Sequence, residues 1–434
     1  MTKGSSCGLH GNVRLKKGYS NTALYNFDTG KLYLVNNVVG DMLLTCPADI
    51  DEHLLILLEK YGLITFAENE KANDPTFFDY YLFSDAYSYK KCSMVYLEVS
   101  NACNFHCDHC YAEIDSNSFG FMAPERARKY IQQIAESNSC DIRITGGEPF
   151  INKDIMEILG IVSGNVQPVS THSIATNGSF TYEQALEALK LGFELQVSIY
   201  GMTAESFSAF TKIGKVCFEE LFRKLEMLSS TEYADKIVLA FAVNKITYPE
   251  IKLFLDYSSS HGFRYLLNRT ASLGRAKHNL EPLRLSEADE YDFARLNGRP
   301  IPSYCYHLCQ LHWVNIKVNG DVAPCPYFRT SEYLMGNLED NDFSDIWKCE
   351  KYNRFRAMTP SDVANCCDCE FEYLCSAGCC GETKSYSGNI LDTYPWCKAK
   401  PYINRNYLIL SNLQVAEVTK LSAGVFEFNV FEGE

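Results

Sequence analysis

Three cysteines stand together as Cys103-x3-Cys107-x2-Cys110. Thiolates are the soft donors that iron–sulfur clusters require. Three thiolates on a four-iron cube leave one iron open, and an open iron can chelate a small molecule through an amine and a carboxylate. A zinc site is the competing reading of the same residues. Gly146-Gly147-Glu148-Pro149 begins 36 residues beyond Cys110. Glycine there would let backbone approach a bound molecule closely. A plain strand-to-helix turn is the alternative.

A second set of thiols lies far along the chain. Cys305 precedes Cys309-x10-Gly320-x4-Cys325, and then come Cys366-x2-Cys369-x5-Cys375-x3-Cys379 and Cys397. A zinc ribbon accounts for Cys366-x2-Cys369 but not for the other spacings. Of 19 cysteines, eight remain outside these sets: Cys7, Cys46, Cys92, Cys140, Cys217, Cys349, Cys367 and Cys380. These are read as small buried hydrophobes.

The elements that must position these residues follow from periodicity. From residue 93 apolar strand patterns alternate with helical ones. Strands are expected at Val95–Val99, Asp141–Thr145, His172–Ala175, Glu194–Ile199, Ile237–Val243 and Arg264–Leu267. Helices are expected at Pro124–Glu136, Lys153–Val162, Thr181–Lys190, Phe218–Leu228 and Pro249–His261. Such alternation implies a parallel sheet, and six units suit a partial (β/α)6 barrel of the TIM type. Reactive groups then sit at the C-terminal ends of the strands. The cysteine triplet follows the first strand and Gly146–Pro149 the second, as that rule demands.

Upstream, Asn12–Lys16, Thr22–Phe27 and Lys31–Val35 read as strands, with Asp28-Thr29-Gly30 as a turn. Helical patterns follow around Val39–Leu44 and Asp49–Tyr61. Together they predict a small winged-helix-like unit. The expected division is 1–70 for that unit, 71–92 for a linker, 93–300 for the barrel and 301–400 for a cysteine-rich domain. Residues 401–434 form a tail with no assignment.

The triplet together with Gly146–Pro149 resembles the radical S-adenosylmethionine (SAM) superfamily. That resemblance implies a SAM-binding [4Fe–4S] cluster on Cys103, Cys107 and Cys110. It assigns cofactor contacts to Gly146, Gly147, Glu148, Asn177 and Ser198. His109 would meet the adenine side, a bland surface histidine being the alternative, and Lys212 would stand where relatives carry an arginine. The later cysteines resemble the SPASM extension, which carries two auxiliary [4Fe–4S] clusters. By that pattern Cys309, Cys325 and Cys379, with Cys305 as fourth ligand, hold the first. Cys366, Cys369, Cys375 and Cys397 hold the second. Residues 26–36 resemble the peptide-recognition domains of ribosomal-peptide maturases, relatives of the pyrroloquinoline quinone chaperone. These add a peptide strand to a sheet edge, and Lys31–Val35 would receive it; a structural cap on the barrel is the bland alternative.

The resemblance as a whole implies a peptide maturase of the sactipeptide or ranthipeptide type, with three clusters and SAM. An external one-electron reductant of the flavodoxin or ferredoxin type would start the reaction. The SAM carbon–sulfur bond would break to a 5′-deoxyadenosyl radical that takes hydrogen from a leader-bearing precursor peptide. The expected product is an intramolecular crosslink, a cysteine thioether first. Carbon–carbon crosslinking, oxidation and epimerisation are the alternatives within that chemistry. Formylglycine formation, as in sulfatase maturation, is disfavoured because Pro326 replaces the aspartate that such enzymes carry after the cysteine matching Cys325. A non-catalytic iron–sulfur or zinc scaffold is the reading of another class.

Composition sets outer bounds. The 434 residues carry a formal charge of −14 and are 46% hydrophobic. That charge argues against general binding to nucleic acid or anionic membrane. The longest apolar runs are too short to span a bilayer. The first residues lack a secretory apolar core, so the expectation is a cytoplasmic protein.

Overall fold

The computed structural model describes residues 8–11, 13–18, 21–26, 31–45, 50, 52–65, 92–114, 120–137, 140–286, 289, 293, 312–369, 377–395, 415–420 and 426–431. Cys305, Cys309, Cys375 and Cys397 lie outside those residues, as do Cys7, Cys46 and most of the expected linker.

The N-terminal unit begins with β1 (Gly8–Leu9) and a meander of β2 (Val13–Lys17), β3 (Asn21–Asn26) and β4 (Lys31–Asn36). Two helices follow, α1 (Asn37–Thr45) and α2 (Glu52–Lys60), then β5 (Ile64–Thr65), which pairs with β1. Val13, Leu24, Tyr33, Val39, Leu54 and Leu58 form part of a core separate from that of the barrel. The expected three strands and two helices are present.

The barrel strands are β6 (Met94–Ser100), β7 (Asp141–Gly146), β8 (Ser173–Thr176), β9 (Glu194–Ile199), β10 (Ile237–Val243) and β11 (Arg264–Arg269). They pair in parallel and in chain order. Connecting helices are α3 (Pro124–Ser137), α4 (Ile155–Asn165), α5 (Tyr182–Lys190), α6 (Ala204–Thr211), α7 (Lys215–Ser229) and α8 (Ile251–Ser260). β10 reads Ile-Val-Leu-Ala-Phe-Ala-Val because a parallel strand is covered on both faces. Thr181 caps α5 in a reciprocal box with Gln184. The sheet opens at β11, so the barrel is partial.

α6 carries a signal that periodicity alone passed over. Thr203 caps it, paired with Ser206, and Lys212 ends it in the left-handed region at φ 62°.

Beyond the barrel, β12 (Trp313–Ile316) pairs in parallel with β6 on its far side. β13 (Asp321–Ala323) and β14 (Gly336–Asn337) extend the same sheet antiparallel. The cysteine-rich region therefore continues the barrel sheet. The helices α9 (Phe343–Lys348), α10 (Glu350–Ala357) and α11 (Cys380–Ser387) complete it. One apolar core runs through both parts. The buried Glu98 on β6 ties them: Arg329 donates to both its oxygens at 2.6 and 3.0 Å, and Asn315 donates at 2.9 Å. Finally, β15 (Val415–Lys420) and β16 (Phe426–Phe431) join the N-terminal sheet, in the order β16-β15-β4-β3-β2. The unassigned tail thus contains a hairpin.

Candidate active site

The loop after β6 bears the cysteine triplet, and neighbouring elements fix its backbone. Gly147 N–H donates to Ser100 O at 2.8 Å and Glu148 N–H to Ala102 O at 2.9 Å. A side chain at Gly146 would strike the Ser100 carbonyl, and one at Gly147 the Ala102 carbonyl. Gly146 also has φ 135°, which disfavours any other residue. The two glycines therefore let β7 press against the cysteine loop, which is a tighter demand than room for a ligand.

From the other side, His106 N–H donates to Thr211 O and Asp108 N–H to Phe210 O, at the end of α6. A third clamp arrives from beyond β11. Arg275 donates through Nε to Cys107 O at 2.8 Å and through Nη1 to Ile114 O at 2.9 Å, while its N–H reaches Cys110 O at 3.0 Å. Asn279 donates to Asp108 O. Neither Arg275 nor Asn279 stands in a motif, so spacing could not announce them.

Glu148 is fully buried and makes local bonds. Its carboxylate accepts from Phe150 N–H at 3.0 Å, Asn177 N–H at 2.7 Å and Thr176 Oγ1 at 2.8 Å. Burial pushes its carboxyl up to about 7, against those three donors. The geometry makes it the anchor of the Thr176-Asn177-Gly178 turn. The turn itself reaches the site: Asn177 Nδ2 lies 3.7 Å from Cys103 Sγ and donates to Asn104 Oδ1 at 3.1 Å.

A cavity of about 800 Å³ opens at the strand ends. Cys103, Cys107 and Cys110 line one part of it, with Gly146, Gly147, Asn177, Ser198 and His109 beside them. Glu148 is absent from the lining. Lys212 is absent too: its Nζ pairs with Asp108 at 2.7 Å and donates to Ala209 O, half exposed. The expected contact at Lys212 is not what its position shows, since the left-handed turn ending α6 carries the side chain to Asp108.

His109 is no surface residue. It stacks on Phe210 at 4.2 Å and lies 5.3 Å from the Tyr200 ring. Burial, reinforced by Arg275, pulls its imidazole down to about 4, so the ring is neutral at neutral pH. Its buried Nδ1 has no hydrogen-bond partner among the described residues.

The cysteine-rich region lines the same cavity through Cys325, Pro326, Tyr327, Cys379 and Glu382. Tyr111, next to Cys110, meets Tyr327 edge-on at 5.6 Å, so aromatic contact joins the two thiol regions. Burial raises both phenols, keeping them neutral. Glu382 accepts from Arg269 at 3.0 Å, Tyr394 Oη at 2.6 Å and Ser272 N–H at 2.8 Å. Cys366 and Cys369 sit on one tight turn, Cys369 N–H donating to Cys366 O.

The donor chemistry fits iron–sulfur clusters. Three thiols share one cavity wall, and burial raises Cys103 to about 11 and Cys107 further, so coordination must displace their protons. Among the described residues no three acidic, histidine or cysteine side chains close on a single ion. A cube, which gives each thiolate its own iron, does not need them to. Nor, among those residues, is any helix long and apolar enough to cross a membrane.

Residues 97–257 match the radical SAM superfamily, and residues 305–370 match the SPASM iron–sulfur cluster-binding domain. An AdoMet-dependent heme synthase of Oleidesulfovibrio alaskensis is 24% identical over 71% of this chain and 88% of its own. The mycofactocin maturase MftC of Mycobacterium tuberculosis is 24% identical over 68% of this chain and 80% of its own. Among solved structures, Streptococcus suis SuiB bound to its precursor peptide SuiA superposes with a TM-score of 0.55 at 13% identity, covering 90% of this chain and 99% of that one. The chain thus carries a radical SAM barrel followed by a SPASM domain. The protein is a radical SAM enzyme whose cofactors are SAM, a [4Fe–4S] cluster and auxiliary iron–sulfur clusters.

Proposed function

We propose that this radical SAM enzyme matures a ribosomally made precursor peptide and installs an intramolecular crosslink, first of all a thioether from a peptide cysteine. The observation that carries the reading is the shared cavity, lined both by Cys103, Cys107 and Cys110 and by Cys325 and Cys379. A peptide segment in that cavity lies within reach of both thiol sets.

In this reading Cys103, Cys107 and Cys110 hold the SAM-binding cluster. Cys305, Cys309, Cys325 and Cys379 hold one auxiliary cluster, and Cys366, Cys369, Cys375 and Cys397 the other. When bound, SAM and its cluster supply a 5′-deoxyadenosyl radical able to take hydrogen from an unactivated carbon. The chain supplies position and a dry wall. Gly146, Gly147, Asn177 and Ser198 surround the cofactor, and Glu148 holds Asn177 in place through its N–H. The neutral His109 and Tyr200 form an aromatic side that excludes water. Glu382 is held by three donors, and Pro326 offers no base, which leaves formylglycine formation without its proton acceptor at that position.

The N-terminal unit favours a peptide over a small substrate. Its meander ends on β4, and the outer side of such a strand is where extended peptides add; in this structure β15 pairs there. SuiB, of like fold, is seen with its precursor peptide bound. The proposed reductant is a flavodoxin- or ferredoxin-type protein.

The test is anaerobic reconstitution, then incubation with dithionite, SAM and the product of the neighbouring short reading frame. The expected products are 5′-deoxyadenosine and a peptide two hydrogens lighter whose cysteine no longer reacts with iodoacetamide. An unmodified peptide beside active SAM cleavage would sink the proposal. Colourless protein containing zinc and no sulfide would sink it earlier.

A further inference from the structure

The hairpin of β15 and β16 returns to the N-terminal unit from the far end of the described chain. β15 runs parallel to β4, with Glu417 opposite Leu34. β16 closes on β15 antiparallel, from Val415 opposite Phe431 to Lys420 opposite Phe426. β16 also lies near α2. The hairpin therefore occupies the β4 side of the meander, where an added peptide strand would lie.

We propose that this hairpin is a built-in occupant of a strand-accepting edge, and that an extended peptide must displace it to pair with β4. The inference rests on the reading of β4 as the receiving strand. A bare edge of a three-stranded meander presents unpaired N–H and C=O groups and invites unwanted pairing. Covering it with the chain's own strands removes that hazard.

Pairing within the sheet shows where the hairpin and the meander join. β2 and β3 are in register from Val13–Asn26 to Lys17–Thr22, and β3 and β4 from Asn21–Asn36 to Asn26–Lys31. The hairpin is in register along its whole length. β15 and β4 lie side by side, and the pair in register is Glu417–Leu34, in parallel. Parallel pairing is the less stable kind per residue. A division at that seam leaves each half its own antiparallel ladder. A ligand that requires the minor, uncovered state binds more weakly by the fraction of that state. The partner is defined by chemistry: an extended segment read through its main-chain groups.

The test compares the full chain with a chain ended after residue 410, and with full-length Glu417→Pro, which puts a ladder-breaking proline at the β15 residue opposite Leu34 while keeping the hairpin segment in the chain. Hydrogen exchange is read at the amides of residues 31–36. A fluorescent synthetic peptide reproducing residues 413–433 is titrated by anisotropy. Both variants are expected to exchange at least about tenfold faster at β4 and to bind the synthetic peptide at least about tenfold more tightly than the full chain. Unchanged exchange and equal binding would overturn the proposal. The product of the neighbouring short reading frame then serves as competitor. If it displaces the synthetic peptide from the truncated chain, displacement and leader recognition stand together. If the synthetic peptide binds but that product does not compete, the covering hairpin stands and leader recognition by β4 falls. If that product binds the full and truncated chains equally, leader recognition stands and displacement falls.

Discussion

From Ser100 to Cys110 the backbone is tied by neighbours on three sides: the residues just after β7, Gly147 and Glu148, at Ser100 and Ala102, the end of α6 through Thr211 and Phe210, and the segment beyond β11 through Arg275 and Asn279. The cysteines from Cys325 to Cys379 are held by local turns instead, Phe328 N–H to Cys325 O, Cys366 N–H to Val363 O and Cys369 N–H to Cys366 O. The same donor atom is thus presented in two ways. The first loop is shaped by hydrogen bonds from the barrel around it. The second region draws part of its stability from the clusters it binds, as small metal domains do.

The largest effect that separates the two regions is on chemistry. Cys103→Ala is expected to abolish 5′-deoxyadenosine formation, whereas Cys379→Ala keeps SAM cleavage and loses peptide product. Full cleavage by Cys103→Ala, followed by chromatography of the nucleoside, would erase the distinction.

Metal removal comes next. Chelating the iron is expected to speed amide exchange around Cys366–Cys369 far more than at Gly147 and Glu148. Equal loss of protection in both places would show that the cysteine loop also depends on its cluster.

Gly147→Ala drives a methyl into the Ala102 carbonyl. Its cost is expected at about 3 kcal/mol or more, the range of strained core substitutions, read from the denaturant midpoint. Arg329→Met leaves the Glu98 carboxylate buried without its cation. Since Arg329 is partly exposed, the expected loss is about 2–3 kcal/mol, at or below the usual range for breaking a buried pair. Arg275→Ala removes two side-chain bonds to loop carbonyls and is expected to cost about 1–3 kcal/mol, with weaker cluster retention after gel filtration. A cluster retained as in the unsubstituted protein would argue that the clamp from beyond β11 is dispensable.

Much of this was legible beforehand. All six barrel strands lie within a few residues of their expected places, because a covered parallel strand writes a continuous apolar run such as Ile237–Val243. The meander was legible through its turn signal at Asp28-Thr29-Gly30. α6 was not, because its eight residues are too few for a period to show, and only the Thr203 cap marks it. The hairpin of residues 415–431 was not legible either, since its pairing partner β4 lies at the opposite end of the chain.

Sequence by itself determined the thiol sets and the alternation that makes a barrel, because both are local: ligand spacing within a loop and apolar period within an element. Tertiary structure decided which way the side chains of the motifs face. It turned Glu148 inward to Asn177 and Thr176, sent Lys212 to Asp108, and gave Gly146 and Gly147 a backbone to press against. It also brought Arg275 to a loop 168 residues away. Such contacts depend on where strands end in space, which no local spacing records.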